Sequence, residues 1–460
     1  MTAPARSLAE GPVGRTLARL ALPILASQML RLGYQWVDAL WVRGLGVEAT
    51  AAVTTSVFVM WSVYSLNDIV AIGVVAYVSQ LLGAGDRARA GVAARRGLTA
   101  SVALGLLASC AGVFGAGAIS SWLGTTGATR IASTRYLQVV LGGAPLPMTM
   151  LTGEGIMRAA GDSRTPLLID VCAVALNAAL DPLLIYGLGP FPRLGVAGAA
   201  WATISAQGLA AALYLVLALR GHRALPFARR APGPPVRVRG MMRVGLPAAL
   251  IGFLFSAVYI AFVRSVAPLG TVAMAVVGVA NRLEALLFIT GISIGIAGAA
   301  MVGQSLGAGR PERARHVIRT GCTWIVWIAL AVTAVMMVFP DAMLGLFSRD
   351  PALHAAGVPY LRVLALSFVA GGIEMVTAES VLGSGHTVAL SWIYGVFSVA
   401  RIPLAFAVAR FGLTGLAWLI TVTASLRTVL LAGWAARGTW LRGLGHDLHG
   451  AAAPPAAEAP

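Results

Sequence analysis

The segment VSQLLGAGDRARA, residues 78–90, returns as VGQSLGAGRPERA, residues 302–314, identical at eight of thirteen positions and displaced by 224 residues. Outward from it, at the same displacement, Tyr136 and Leu137 answer Tyr360 and Leu361, and Leu45 and Gly46 answer Leu269 and Gly270. Arg19, Leu22 and Pro23 likewise answer Arg243, Leu246 and Pro247. Toward the end of each half the displacement drifts to 217, where Gly195, Gly198, Ala200 and Trp201 answer Gly412, Gly415, Ala417 and Trp418. Matches that keep their spacing over such distances identify a duplicated chain, and a repeat on this scale dictates architecture before any local motif does.

Hydropathy says what each copy is made of. Of 460 residues, 58% are hydrophobic and 11% charged, a balance outside that of soluble domains. Apolar runs recur from Leu20 to Trp434, each of about 20 residues or more and so able to cross a ~30 Å hydrocarbon layer as a helix. The ten-residue alternation of a membrane barrel is missing, which leaves helices as the spanning element. The expectation is an all-α polytopic membrane protein with about twelve transmembrane helices. They fall near 17–42, 51–80, 95–119, 134–159, 166–187 and 196–219, then near 241–265, 272–303, 317–339, 358–382, 388–410 and 414–436. Six crossings return the chain to its starting side, so the two six-helix repeats are parallel, related by an axis along the membrane normal, and enclose a central cleft. Between them, residues 220–240 carry many arginines with Pro226, Pro232, Pro234 and Pro235, too charged and proline-rich to span a membrane. The organisation read from the sequence is an N-terminal lobe at 1–219, a cytoplasmic linker at 220–240 and a C-terminal lobe at 241–437. Residues 438–460, ending AAAPPAAEAP, are expected to form a disordered cytoplasmic tail.

The net charge of +17 comes from arginine alone, since no lysine occurs. The arginines crowd into alternate connections: Arg87, Arg89, Arg95 and Arg96, then Arg158 and Arg164, then the stretch from Arg220 to Arg243, then Arg310, Arg313, Arg315 and Arg319. The positive-inside rule places these loops and both termini in the cytoplasm, as expected of a multi-pass inner-membrane protein. Charge distributed over one membrane face is not the footprint of a nucleic-acid binder. Cys110, Cys172 and Cys322 are odd in number, lack metal-ligand spacing and read as packing residues. The apolar stretch after the first nineteen residues runs beyond the length of a signal-peptide core, so no cleaved targeting segment is expected.

A charge at mid-bilayer costs about 2.5–3.5 kcal/mol on insertion scales, so acids inside the helices need a reason to be there. Asp38 lies in LGYQWVDALWV and Asp181 in LNAALDPLLIYG. Asp170, Asn177 and Asp181 are spaced seven and four apart and so project from nearly one helical face, as do Arg31, Tyr34 and Asp38. If the two faces meet, two carboxylates, an amide and a phenol surround one pocket. A desolvated carboxylate takes up protons near neutrality, and the same oxygens could ligate sodium. The competing readings are an ion pair of Asp38 with Arg31 or Arg43, and a helix-bending Asp-Pro unit at Asp181. Asp68 and Glu284 are further cleft candidates, each equally open to a packing or charge-compensating role, and of Glu374 and Glu379, which lie five apart and diverge around one helix, one could line the cleft. Walker, HExxH and GxSxG patterns are absent and the six histidines are scattered in loops, so neither enzyme chemistry nor a cofactor is expected. Uphill transport would then draw on an ion gradient, of protons or sodium.

Taken together, the VSQLLGAGD and VGQSLGAGR loops, the early Leu-Pro of each half, RAAGDSRTP, and Asn177-x-x-x-Asp181-Pro182 resemble the multidrug and toxic compound extrusion (MATE) family over essentially all twelve helices. The chain looks most like the DinF-type branch, whose key aspartate in helix 1 and Asn/Asp pair in helix 5 match Asp38, Asn177 and Asp181. The resemblance adds Thr203 to that cation site, which would hold sodium if sodium is the coupling ion, and makes Pro23 a hinge. The acid that the NorM-type branch carries in helix 7 is replaced here by Phe255. What the resemblance implies is a monomeric secondary antiporter that exports organic cations, drugs or other amphipathic small molecules by alternating access, in contact with membrane lipids. A lipid-linked oligosaccharide flippase of the same superfamily, which would use a basic cavity, is the rival reading, with Arg31, Arg282 and Arg401 in its favour.

Overall fold

The computed structural model describes residues 8–222, 224–225 and 227–445, and among them every regular element is helical. The first half contains α1 (Val13–Arg43), α2 (Val47–Gly83), α3 (Arg87–Trp122), α4 (Gly127–Gly142), α5 (Pro145–Ala159), α6 (Arg164–Tyr186) and α7 (Val196–Arg220). The second contains α8 (Val238–Val266), α9 (Thr271–Gly307), α10 (Pro311–Val338), the short α11 (Pro340–Gly345), α12 (Pro351–Ala365), α13 (Phe368–Leu382), α14 (Thr387–Val408) and α15 (Gly412–Ala436). Eight described segments can cross a membrane on length and hydropathy alone, and α12 with α13 makes a ninth despite a 49° bend. Counting α1, the pair α4–α5, and α14 and α15 as separate passes gives six crossings per half. Phe114, Trp122 and Leu219 stand on the exterior, each more than 80% exposed, while serines, threonines and small residues line the helix contacts, as suits a bundle whose solvent is lipid.

Two expected helices are broken. The run near 134–159 is two helices separated at Gly143 and Ala144, because Pro145 donates no amide hydrogen and its ring crowds the carbonyl four residues back. The run near 358–382 breaks at Leu366 and Ser367, where both the Ser367 amide and its hydroxyl donate to the Leu364 carbonyl, at 2.9 and 2.7 Å, drawing the helix into a tighter turn. Cys110 and Cys172 lie on the exterior rather than in packing positions. The linker is held against the first half: Arg87 donates to the Ala224 carbonyl at 3.1 Å and Arg96 to the carbonyl of Val236. Pro226 lies outside the described residues.

The expected disorder from 438 onward does not extend to 438–445. Residues Thr439–Arg442 form a 3-10 turn, and Trp440 is buried with its indole donating to the Ala435 carbonyl at 2.9 Å. An aromatic anchor with a satisfied N–H outweighs the polar, glycine-rich composition around it. The rest of that tail, 446–460, falls outside the described residues.

The halves are joined where the repeated loops cross. A β-carbon added at Gly83 would strike the backbone carbonyl of Gln304, and one added at Gly307 would strike that of Gln80. Only glycine allows backbones to touch in this way. The two glutamines then exchange equivalent bonds. Gln80 Nε2 donates to the Gly383 carbonyl and Gln304 Nε2 to the Ala159 carbonyl, both at 2.9 Å, and these acceptors are themselves 224 positions apart. Each Oε1 accepts from a terminal segment, Gln304 from Leu8 N at 2.9 Å and Gln80 from Leu444 N at 2.7 Å. One difference between the loops, Asp86 against Arg310, assigns separate tasks. Asp86 caps α3 through Arg89 N, whereas Arg310 and Arg313 donate to the carbonyls of Leu8, Ala9, Glu10 and Gly11. Packing follows the same exchange: Leu8, Leu17, Leu20 and Ile24 sit in the second half's core, and Met241, Val244 and Leu444 in that of the first.

Replacing Gln304 by Ala leaves a buried carbonyl and a buried amide without these partners, a loss of about 1–3 kcal/mol. The melting temperature of purified Gln304→Ala, followed by tryptophan fluorescence, should fall by several degrees, and that of Gln80→Ala by a similar amount. Unchanged melting in both variants would mean that the glutamine exchange does not join the halves.

Candidate cation and cargo site

Helices α1 and α6 pack along one another, and this contact joins the two polar faces read from the sequence. On α6, Asp170, Asn177 and Asp181 are all buried, Asp181 completely. On α1, Arg31, Tyr34 and Asp38 are half-buried. Asp38 and Asp181 lie within each other's electrostatic reach, Tyr34 and Tyr136 stand beside the pair, and Tyr64 stands beside those two tyrosines. Among the described residues no donor reaches either carboxylate oxygen of Asp181, Asp38 Oδ1 has no partner, and Asn177 Nδ2 and Gln207 Oε1 are equally unengaged. Tyr64 accepts a long 3.4 Å bond from Gln207. Thr203 stands half-buried on α7, which packs against α6. Pro23 lies inside α1, two turns before Arg31.

Arg31 belongs to a different set. Its guanidinium donates to Glu154 at 2.7 Å and to Asp170 at 2.8 Å, and Arg158 pairs with Glu154 from one turn further along α5. Two arginines and two acids thus close a compensated cluster, so Arg31 is spent on neighbours other than Asp38. Asp170 shares a face with Asn177 and Asp181 but serves this ion-pair cluster. Glu154 is inconspicuous in the sequence because Arg158, its i+4 partner, reads as one of the loop arginines. The Glu154-x-x-x-Arg158 spacing inside an apolar run is the signal that could have found it.

The second half builds its own compensated network. Arg427 donates to Glu374 at 2.8 Å and its guanidinium carbon lies 4.6 Å from the centre of the Tyr394 ring. Arg401 donates to Thr423 at 2.6 Å and to the Ile420 carbonyl at 3.2 Å, and is the charged neighbour of Glu284. Glu284 therefore does not join Asp38 and Asp181. Arg282 sits 5.7 Å from the Phe347 ring centre. Asp68 on α2 and Glu379 on α13 are neighbours across the two halves. Tyr360, which repeats Tyr136, stands beside Glu284 and Tyr259 as Tyr136 stands beside the aspartates.

The internal charges thus divide into compensated sets, in which arginines satisfy acids, and two acid pairs with no arginine beside them among the described residues, Asp68 with Glu379 across the halves and Asp38 with Asp181 within the first. Two carboxylates with an amide and a hydroxyl nearby make an all-oxygen donor set suited to a proton or a hard cation. Among the described residues, no group of three His, Cys, Asp or Glu is placed to hold a metal ion.

The MatE family profile matches residues 23–183 and again 247–407, two matches set apart by the same interval as the repeated loops. A FAD transporter from Shewanella oneidensis is 29% identical over 377 residues, covering 81% of this chain and 83% of its own. The multidrug export protein MepA of Staphylococcus aureus (strain MRSA252) is 24% identical over 422 residues, covering 91% and 92%. In three dimensions the chain resembles an outward-facing multidrug resistance MATE family transporter with a TM-score of 0.87, at 23% identity and covering 96% and 100% of the two chains.

Removing Arg31 leaves Glu154 and Asp170 short of a counter-charge, a loss of about 3–5 kcal/mol. Arg31→Met should reduce the yield of monodisperse protein sharply, and Arg31→Met with Asp170→Leu should recover part of it. Equal behaviour of the single variant and the wild type in size-exclusion chromatography would show that the ion-pair cluster is dispensable.

Proposed function

Because this chain belongs to the MatE family of multidrug efflux transporters, we propose that it is a cation-coupled antiporter in which Asp38 and Asp181 carry the coupling ion, a proton or sodium. The supporting observation is an acidic pair in the first half, one member fully buried and the other half-buried, whose buried carboxylate oxygens meet no donor and no counter-charge among the described residues. Two desolvated carboxylates repel until a cation enters between them, so occupancy of the pair alters the packing of α1 on α6. Asn177 and Thr203 complete the donor set, Pro23 lets α1 bend, and Tyr34, Tyr64 and Tyr136 transmit the change to the cargo. The compensated arginines hold the surrounding helices while the pair loads and unloads.

The cargo is an amphipathic small molecule moved out of the cell, with both termini and the GAG loops on the cytoplasmic side of the inner membrane. The similarity to a FAD transporter as well as to multidrug exporters supports a cleft that accepts flat aromatic compounds. A flippase-like basic cavity gains little from Arg31, whose charge is engaged by Glu154 and Asp170.

In proteoliposomes given a pH gradient or a sodium gradient separately, the wild type should move a cationic dye under at least one of them. Asp38→Asn and Asp181→Asn should each lose most of that uptake, by tenfold or more on the order of a lost coupling charge. Wild-type rates in both variants under both gradients would exclude the pair as the coupling site.

A further inference from the structure

A groove of about 610 Å³ opens on the exterior of the first half between α4, α5 and α7, away from the aspartate pair. Its walls include Val139, Leu146 and Ile204, and its polar groups are Arg135 and Gln138, both exposed on α4, beside the half-exposed indole of Trp201 on α7. Arg135 forms no hydrogen bond or ion pair with any described residue, and neither does Gln138. An unpaired guanidinium on a surface that faces lipid needs an acceptor from outside the chain. We propose that this groove binds an anionic phospholipid, with Arg135 on the phosphate and an acyl chain along Val139, Leu146 and Ile204.

Depth supports the assignment. The α4–α5 pass covers residues 127–159, about 50 Å of helix, longer than the ~30 Å hydrocarbon core. With its ends projecting equally, Arg135, about 12 Å from the start of α4, falls at the hydrocarbon boundary, where phosphates lie. Trp201, about 8 Å from the start of α7, stands at the level where indoles anchor to headgroups. The leaflet is the one opposite the GAG loops. The guanidinium fork takes two phosphate oxygens at once, and Gln138, one turn deeper, reaches the glycerol esters. At the break between α4 and α5, Gly142 and Gly143 carry no side chain to fill the floor. The lining holds a cation and no acid, so a choline or ethanolamine group would meet no counter-charge, and an anionic headgroup such as glycerol phosphate is favoured. Tyr136 follows Arg135 and turns inward to the aspartate pair, so a lipid seated here sets the spacing of α4 and α7 behind the site.

The test is native mass spectrometry of delipidated full-length protein titrated with equal amounts of dioleoyl phosphatidylglycerol and dioleoyl phosphatidylcholine. The wild type should retain the glycerol lipid by about fivefold over the choline lipid, the factor that one cation beside an anionic headgroup contributes. Arg135→Gln should abolish that preference. Ala197→Phe, which keeps the charge but fills the groove, should abolish it as well. Equal retention of the two lipids by the wild type, or persistence of the preference in either variant, overturns the proposal. The variants are read independently, so failure of one to fold leaves the other to decide.

Discussion

Everything in this bundle is referred to the backbone contact between the two GAG loops. Glycine at 83 and at 307 lets each loop lie directly on the carbonyl of the other half's glutamine, and no side chain could occupy that space. Once the loops touch, Gln80 and Gln304 are placed to satisfy amides and carbonyls of the opposite half and of the two terminal segments. The first helices, α1 and α8, then find apolar partners across the joint as well as within their own repeat. In a hydrocarbon solvent, where apolar burial gives helices little reason to associate, close packing and buried hydrogen bonds have to hold the halves together.

That joint is symmetric, but the polar interior is not. Wherever an arginine enters the bundle it meets an acid: Arg31 and Arg158 with Glu154 and Asp170, Arg427 with Glu374, and Arg401 beside Glu284. These sets are electrically closed and costly to open. Against them, Asp38 and Asp181, like Asp68 and Glu379, have no arginine beside them among the described residues, and the second half holds Phe262 at the position answering Asp38 and, at the displacement of 217, Ser398 at that answering Asp181. Duplication thus supplies a frame of two similar walls, and divergence after it leaves the Asp38–Asp181 pair in one wall while the other keeps an arginine-compensated network around Tyr360. The exterior of the first wall differs too, since the groove beside Arg135 backs directly onto the helix that carries Tyr136.

The loop motif illustrates how close the sequence comes to structure. A pattern repeated at constant displacement reveals duplication, parity of crossings and the parallel relation of the halves, because all three depend only on counting hydrophobic runs and their spacing. The face shared by Asp170, Asn177 and Asp181 was equally legible, since helical periodicity follows from residue number. Partnership was not. Arg31 shares a face with Asp38 yet bonds to Glu154, more than a hundred positions away, and the breaks at Pro145 and Ser367 divide runs whose hydropathy is continuous.

The amino-acid sequence by itself therefore determined the membrane-spanning helical class, the tandem repeat, and the presence of acids where hydrocarbon should be, because composition and periodicity are local properties of a chain. Only the tertiary structure decided which of those acids are neutralised and which have no described partner, where the terminal segments dock, and which face of α4 is exposed. Those outcomes depend on distances between helices far apart in the chain, and a carboxylate's role depends on whether a guanidinium from another helix lies within 3 Å of it, as at Asp170, or no donor among the described residues reaches it, as at Asp181.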